Sequence, residues 1–220
     1  GATATLSYFD PFTLKLSAAF GEYDAENAAQ SNRGWNVQAK ASYALDFGTP
    51  VLGAWYFSGD DDRKLDGTMP HVQGAFTPTR TLHDAAFAMG GGQCWYLPSG
   101  NWGVQAGIED VSFLQGLSHN FHVTYMQGTN DPDTTIHRED TSHNGNYIYM
   151  TEDDSLVSFD LSNTYKIYKN LSAHLELSYI ISDFDDKLRT NGKAASDAKY
   201  KEAKLTEDDW RAELIFVYDF

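Results

Sequence analysis

Two runs of carboxylates are the residues whose type and spacing could hold a metal ion. Asp60, Asp61 and Asp62 are consecutive, and a second run, "EDD", occupies 152–154. Clustered carboxylate oxygens suit a hard cation such as Ca²⁺, although neither run has the spacing of an EF-hand loop. A calcium site in these acidic loops is one hypothesis. A solvated acidic loop that binds no ion is the alternative.

The histidine, cysteine and glycine residues do not form the pattern of an enzyme. His119 and His122 are three apart in a strand-like segment, so they should face opposite sides and share no metal. Cys94 is the single cysteine, which excludes an internal disulfide and a cysteine-rich zinc site. The glycines in "MGGGQCWY" at 89–96 lack a P-loop pattern. No nucleophile, base and orienting acid come together, so we expect no catalysis and no cofactor apart from calcium.

A third set of polar side chains recurs at every second position of apolar-rich segments. Its members are Lys15, Gln38, Lys40, Asp160, Lys166, His174, Glu176, Arg211 and Glu213. Both signs of charge occur, and charges of both signs along a wet wall would control which ions and dipolar solutes pass it. Simple solvation of that wall is the alternative role.

The elements that must position these side chains are β-strands, because large apolar residues recur with period two. The clearest strands are predicted at 13–21, 35–47, 156–168, 172–182 and 210–220, and weaker ones at 2–9, 50–58, 84–97, 102–115 and 119–127. Within 102–115 the apolar phase slips between Ile108 and Val111, which predicts a bulge or a tight turn near Glu109 and Asp110. The chain therefore has nine to eleven strands.

Short and long connections alternate between these strands. Short ones are predicted at 10–12, 48–50, 98–101, 115–118 and 169–171, and long polar ones at 24–34, 59–82, 128–154 and 183–209. Loops of this length are unusual in a compact soluble domain. Short turns on one side and long loops on the other are typical of a transmembrane β-barrel, whose long loops are external.

Composition is compatible with such a barrel. A net charge of -15 and a pI of about 4.6 argue against nucleic acid and anionic membrane surfaces as partners. The mean hydropathy is -0.47, and no window reaches the ~20 apolar residues of a spanning helix. The sequence thus excludes a helical membrane protein. Barrel strands remain allowed because only half of their residues are apolar.

Aromatic residues at strand ends suggest where the membrane boundaries lie. Trp35 and Trp210 each follow a long loop, whereas Phe47 precedes a short turn and Phe220 ends the chain. Tryptophan and other aromatic residues form girdles at both interfaces of a barrel. We therefore predict one all-β domain over 1–220, an antiparallel up-and-down transmembrane β-barrel with its apolar face toward lipid and its polar face toward a wet lumen.

The end of the chain resembles a known family. The segment "WRAELIFVYDF" is similar to the terminal strand of bacterial outer-membrane β-barrels, in which this strand and its last Phe are recognised by the barrel-assembly machinery. The segments at 53–62, "GAWYFSGDDD", and at 101–131 resemble the C-terminal portion of homotrimeric porins from Desulfovibrio-type bacteria. This resemblance implies an outer-membrane location, trimeric assembly, and passive diffusion of small hydrophilic solutes without catalysis.

Strand number departs from that family, because porins of this type have about 16–18 strands. We therefore expect this chain to be the C-terminal part of a larger barrel, with an N-terminal porin fragment missing or present as a separate chain. The strand at 210–220 should then pair with 172–182 and with residues outside this chain rather than with 2–9. With ten strands, a short barrel formed by this chain alone stays possible.

Three classes of function remain open on the sequence alone. The first is a diffusion porin, which should prefer cations because the acidic residues concentrate in the loops. The second is a non-channel barrel that acts as an adhesin, a receptor or a structural anchor through its long loops. The third is a soluble β-sandwich or lipocalin-like binder, in which the alternate apolar residues would turn inward.

Overall fold

The computed structural model describes residues 1–24, 32–61, 67, 100–132, 150–183 and 208–220, which form nine β-strands and the segments that border them. The strands are β1 (Ala2–Leu6), β2 (Phe12–Tyr23), β3 (Asn32–Tyr43), β4 (Thr49–Phe57), β5 (Asn101–Val111), β6 (Leu117–Gly128), β7 (Ser155–Tyr168), β8 (Leu171–Asp183) and β9 (Asp209–Tyr218). The predicted strand at 84–97 lies outside the described residues. Within the described ranges, no helix is long and apolar enough to cross a membrane.

The nine strands form a single antiparallel sheet in which each strand pairs with its neighbours in the chain. The prediction of an all-β, up-and-down antiparallel fold is confirmed. In the described sheet β1 and β9 are the two edges, and 210–220 pairs with β8 and not with 2–9, as expected. What neighbours the other edge of β9 stays a prediction.

Short and long connections alternate around the described sheet, but the short connection predicted at 98–101 is not one of its short turns, because Asn101 already begins β5 and 98–99 lie outside the described residues. Residues 7–11, 44–48, 112–116 and 169–170 connect strands at one end of the sheet, here called the short-turn rim. The strand ends that border the longer connections, 24–31, 58–100, 129–154 and 184–208, lie at the other end of the sheet, here called the long-connection rim. Gly116 has φ 82° in its short turn, a conformation that glycine adopts without steric cost.

Two predicted boundaries need correction. Strand β3 ends at Tyr43 rather than at residue 47, because Leu45 and Gly48 exchange backbone hydrogen bonds of 3.0 and 3.3 Å and close a turn that contains Phe47. Strand β5 continues to Val111, and the slip in its apolar phase is a bulge at which Asp110 has φ 58°. The alternative of a tight turn there, and with it the count of eleven strands, is wrong.

The two faces of the sheet differ in chemistry and in exposure, and the apolar face is the exposed one. Large apolar side chains on it are about 40 to 60% accessible, for example Phe121 at 42% and Leu214 at 61%. The polar face contains buried Thr124, Ser158 and Asp160. The soluble sandwich alternative expects the alternate apolar residues to be buried, whereas in the described strands they are exposed.

A small apolar cluster is the main exception on the polar face. It lies toward the long-connection rim and comprises Trp55, Phe57, Met126, Met150, Leu156 and Ile180. The Trp55 indole packs over Gly103, where an added Cβ would lie 2.3 Å from Cζ2 of the ring, and its Nε1–H donates to Asn101 Oδ1 at 2.8 Å. The cluster therefore supports the strands where the long connections leave the sheet.

Candidate functional site: the polar face of the sheet

The residues that sequence alternation assigns to a wet wall all lie on the polar face. Cross-strand register joins them: Lys15 opposes Lys40, Glu176 opposes Glu213, and Lys166 opposes Ser172. Gln38, Asp160, His174 and Arg211 occupy the same face by the two-residue period of their strands. Their shared face is an observation, whereas their role in lining a pore stays a prediction.

The most connected charged group on this face is Glu109, which sequence analysis assigned only to the bulge. Lys40 Nζ donates to both carboxylate oxygens, at 2.8 and 3.0 Å, and His122 Nε2 lies 3.1 Å from Oε1. The three residues come from β3, β5 and β6. Lys40 thus contacts Glu109 across β4, which lies between their strands.

Two glycines lie beside this cluster, and one of them is in close contact with it. Gly53 opposes Lys40 on one side and Gln105 on the other, so no side chain of β4 stands at that position. Gly107 opposes His122, and an added Cβ would lie 2.5 Å from Cδ2 of the imidazole. The histidine ring therefore rests against the backbone of β5, in reach of the carboxylate of Glu109.

Asp160 forms a second polar group beside the first. Ser158 Oγ donates to its Oδ2 at 2.6 Å, and Ser178 Oγ donates to its Oδ1. The carboxylate is 4% exposed, and buried charges of this kind require hydrogen bonds of good geometry. Asp160 also opposes His122 in the register of β6 and β7, which joins the two groups into one line.

The line of polar groups continues to the edge strand. Arg211 opposes Ser178 and forms an ion pair with Glu213 at 2.9 Å. Closer to the short-turn rim, His174 occupies the polar-face position of β8 next to the one that opposes Glu213. It lies between two hydroxyl groups, with Nδ1 3.1 Å from Thr164 Oγ1 and Nε2 2.9 Å from Ser172 Oγ. A continuous row of hydrogen-bonded and charged side chains therefore crosses the polar face.

The numbers of positive and negative side chains on the described polar face are nearly equal. Apart from Asp209 at the start of β9, the described polar face has four cations, Lys15, Lys40, Lys166 and Arg211, and four anions, Glu109, Asp160, Glu176 and Glu213. The whole chain has a net charge of -15. The excess of acid therefore belongs to residues other than the charged side chains of the described polar face.

At the long-connection rim, Asn130 joins the ends of three segments. Its Oδ1 accepts the backbone N–H of Asp60 at 2.9 Å, and its Nδ2 donates to the carbonyls of Gly100 and Met150 at 3.3 and 2.7 Å. The side chain is fully buried. Gly100 has φ 76° and is so close to Asn130 that an added Cβ would clash with the amide. Asn130 therefore fixes where two long connections begin and end.

The calcium hypothesis is not tested by these contacts. Asp60 is 1% exposed, its carbonyl accepts the N–H of Asp131 at 2.8 Å, and Asp61 is exposed. In the second run Asp154 Oδ2 accepts both the N–H and the hydroxyl of Thr151. The described residues contain no group of three metal-ligating side chains, and Asp62 lies outside them.

Aromatic side chains border the exposed apolar face at both ends. Near the long-connection rim Trp35 stacks on Tyr56 with ring centroids 5.0 Å apart, and Trp210 is 70% exposed. Near the short-turn rim lie the exposed rings of Phe47 and Phe220. The four predicted girdle residues therefore occupy opposite ends of the sheet in the expected pairs.

The separation of the two aromatic borders can be estimated from the strands. Trp35 and Tyr43 on β3, and Trp210 and Tyr218 on β9, are each eight residues apart on the apolar face. Eight residues of extended strand span about 26 Å. The apolar band of an outer-membrane barrel is about 25 Å tall, and strand tilt would reduce the span somewhat.

Comparison of the chain with protein-family models, with curated proteins and with solved structures finds no match. The functional argument therefore rests on the chemistry of the two faces.

Proposed function

We propose that this chain forms the wall of a water-filled β-barrel channel in a bacterial outer membrane, through which small hydrophilic solutes and ions diffuse. The observation that supports it best is the exposure of the two faces. Neighbouring residues of one strand have opposite environments, and the apolar ones are exposed. A contiguous apolar surface that extends over several strands marks a site of membrane or protein contact.

A lipid environment explains the backbone as well as the side chains. Strands β2 to β9 have 9 to 14 residues, and about 9–11 tilted residues suffice to cross the hydrocarbon core. Hydrocarbon offers no partner for a free N–H or C=O, so the sheet has to be closed into a barrel. The closing strands, and the assembly into trimers that the family resemblance implies, belong to this proposal.

A hydrated lumen explains why the polar face has charges of both signs. Glu109, Asp160 and Arg211 would be costly to bury in an apolar interior, but water and each other can satisfy them in a channel. The apolar cluster lies toward the long-connection rim. The positions next to Asp160 on the polar face of β7 therefore have no aliphatic side chains. Passive diffusion through an aqueous lumen requires no catalytic group.

Cation preference should follow from where the acids are. The described polar face has nearly equal numbers of cations and anions, whereas the connection 128–154 has seven acidic residues and one arginine. Those acids should concentrate cations at the channel mouth at low salt. The preference should fade near 1 M salt, where the Debye length is about 3 Å.

A receptor, adhesin or anchor is the second candidate, and Asn130 is the observation that favours it. A buried amide that fixes the beginnings of two long connections would suit loops held in a defined shape for a partner. This role does not require an open lumen.

Planar-bilayer conductance and the swelling of proteoliposomes in sugars of increasing size test the proposal. A channel gives stepwise conductance and admits small sugars while excluding larger ones. Insertion into the bilayer without conductance or solute entry would contradict the channel and favour the receptor.

A further inference from the structure

His122 is the histidine of the charged row that contacts a carboxylate. Its Nε2 contacts Glu109 of β5, it opposes Asp160 of β7 in the register, and Lys40 of β3 contacts it through Glu109. On β5 its direct neighbour is Gly107, which adds no charge. The imidazole is 19% exposed, so protons from the lumen can reach it.

We propose that His122 is a selectivity-determining residue of the channel, which shifts the wall toward anions when it is protonated. This inference rests on the proposed function. With Asp209 included, the described polar face has four cations and five anions, so one added proton on His122 cancels its net negative charge. Histidine is the side chain that changes charge between about pH 5 and 8.

The geometry specifies what the proton does. With a neutral imidazole, Nε2–H donates to Glu109, and Lys40 alone neutralises that carboxylate. With an imidazolium, one carboxylate has two cations beside it, so the positive charge of Lys40 is no longer balanced and is available to anions in the lumen. Lys40 is 48% exposed, which places its ammonium in contact with water and permeating ions.

The size of the effect follows from Coulomb's law. One unit charge at about 5 Å in water changes the local concentration of a monovalent ion about fourfold at low salt. The cation-to-anion permeability ratio should therefore fall by at least about fourfold between pH 8 and pH 5 in dilute salt.

Reversal potentials of reconstituted channels in a gradient of potassium chloride, measured at pH 8 and pH 5, test this inference. His122→Gln should lose most of the pH shift, and His122→Lys should show the acid-like selectivity at both pH values. The matched control is His119→Gln, three residues away on the same strand but on the apolar face beside Asn163. It should keep most of the shift.

Three results have distinct meanings. A shift that persists in His122→Gln, or is lost equally in His119→Gln, would overturn the role of His122. A wild-type channel whose selectivity is the same at both pH values would also overturn it while leaving the channel intact. Absence of conductance at any pH would instead contradict the proposed function itself.

Discussion

Ser158 and Phe159 are consecutive residues of β7, and the serine is completely buried while the phenylalanine is 39% exposed. Ser158 donates to Asp160, and Phe159 has Val123 and Tyr179 as its cross-strand neighbours on the apolar face. The usual order of burial in a soluble protein is reversed here. The same reversal recurs on β8, where Ser178 is buried and Leu177 is exposed.

Charge should be tolerated on one face of β9 and not on the other. Leu214 is 61% exposed at mid-strand on the apolar face, and Ile215 follows it on the polar face. If the apolar face contacts lipid, Leu214→Arg should lower the free energy of unfolding in vesicles by about 2–4 kcal/mol. Denaturant titration in lipid measures this loss.

Ile215→Arg is the matched control, since it removes a similar aliphatic side chain from the adjacent position. It should cost clearly less, because the arginine can extend into water. Equal losses at the two positions would contradict the assignment of the faces. Ser178, which alternation alone offers as a tolerant position, is unsuitable because it is buried and donates to Asp160.

The packing of Trp55 over Gly103 predicts a second asymmetry. In Gly103→Ala the new methyl would lie 2.3 Å from Cζ2 of Trp55 and 2.5 Å from the carbonyl of Tyr125. Overpacking of this kind costs about 1–3 kcal/mol of unfolding free energy. Near-ultraviolet circular dichroism should also report the displaced indole.

Gly53→Ala is the control for that change. Its new methyl would have no neighbour closer than 3.8 Å, and alanine is favoured over glycine within a strand by about 0.5–1 kcal/mol. The Gly53 variant should therefore be as stable as the wild type or slightly more stable. A loss at Gly53 equal to that at Gly103 would show that the backbone, and not the indole contact, limits both sites.

Asn130 should be intolerant of substitution although it lies outside the strands. Asn130→Ala leaves the buried N–H of Asp60 and the carbonyls of Gly100 and Met150 without this amide, so we expect a loss of at least about 2 kcal/mol. Hydrogen exchange at the Asp60 amide should accelerate. Asn120→Ala, which removes an exposed bond from the N–H of Asp110 and a long 3.5 Å bond to Ser162 Oγ, is the control and should lose less. Unchanged exchange at Asp60 would remove Asn130 from this role.

Sequence alternation was sufficient to predict the strands and the face of each side chain, because both depend on local period-two patterning. It also located the bulge of β5, from the slip between Ile108 and Val111. It could not decide between a bulge and a turn there, because this depends on pairing with β6. It placed the end of β3 too late, because Leu45 and Phe47 continue the alternation inside a turn.

The candidate site was only partly predictable. Lys40, Glu109 and His122 are far apart in the sequence and meet only through the register of four strands, which no local pattern encodes. Lys40 was assigned to the polar wall, but its partner and the histidine beside it were not. The burial of Asp160 and the contacts of Asn130 likewise depend on tertiary packing.

The most direct test of the central claim uses two single-tryptophan variants in vesicles whose lipids have brominated acyl chains. Each variant retains one of the five tryptophans and replaces the others by phenylalanine. Trp210 is 70% exposed on the apolar face, and Trp55 is 6% exposed on the polar face. If the apolar face contacts lipid, bromine near the headgroups should strongly quench Trp210 and leave Trp55 nearly unchanged. Equal quenching, or stronger quenching of Trp55, would contradict a lipid-facing apolar surface and with it the channel.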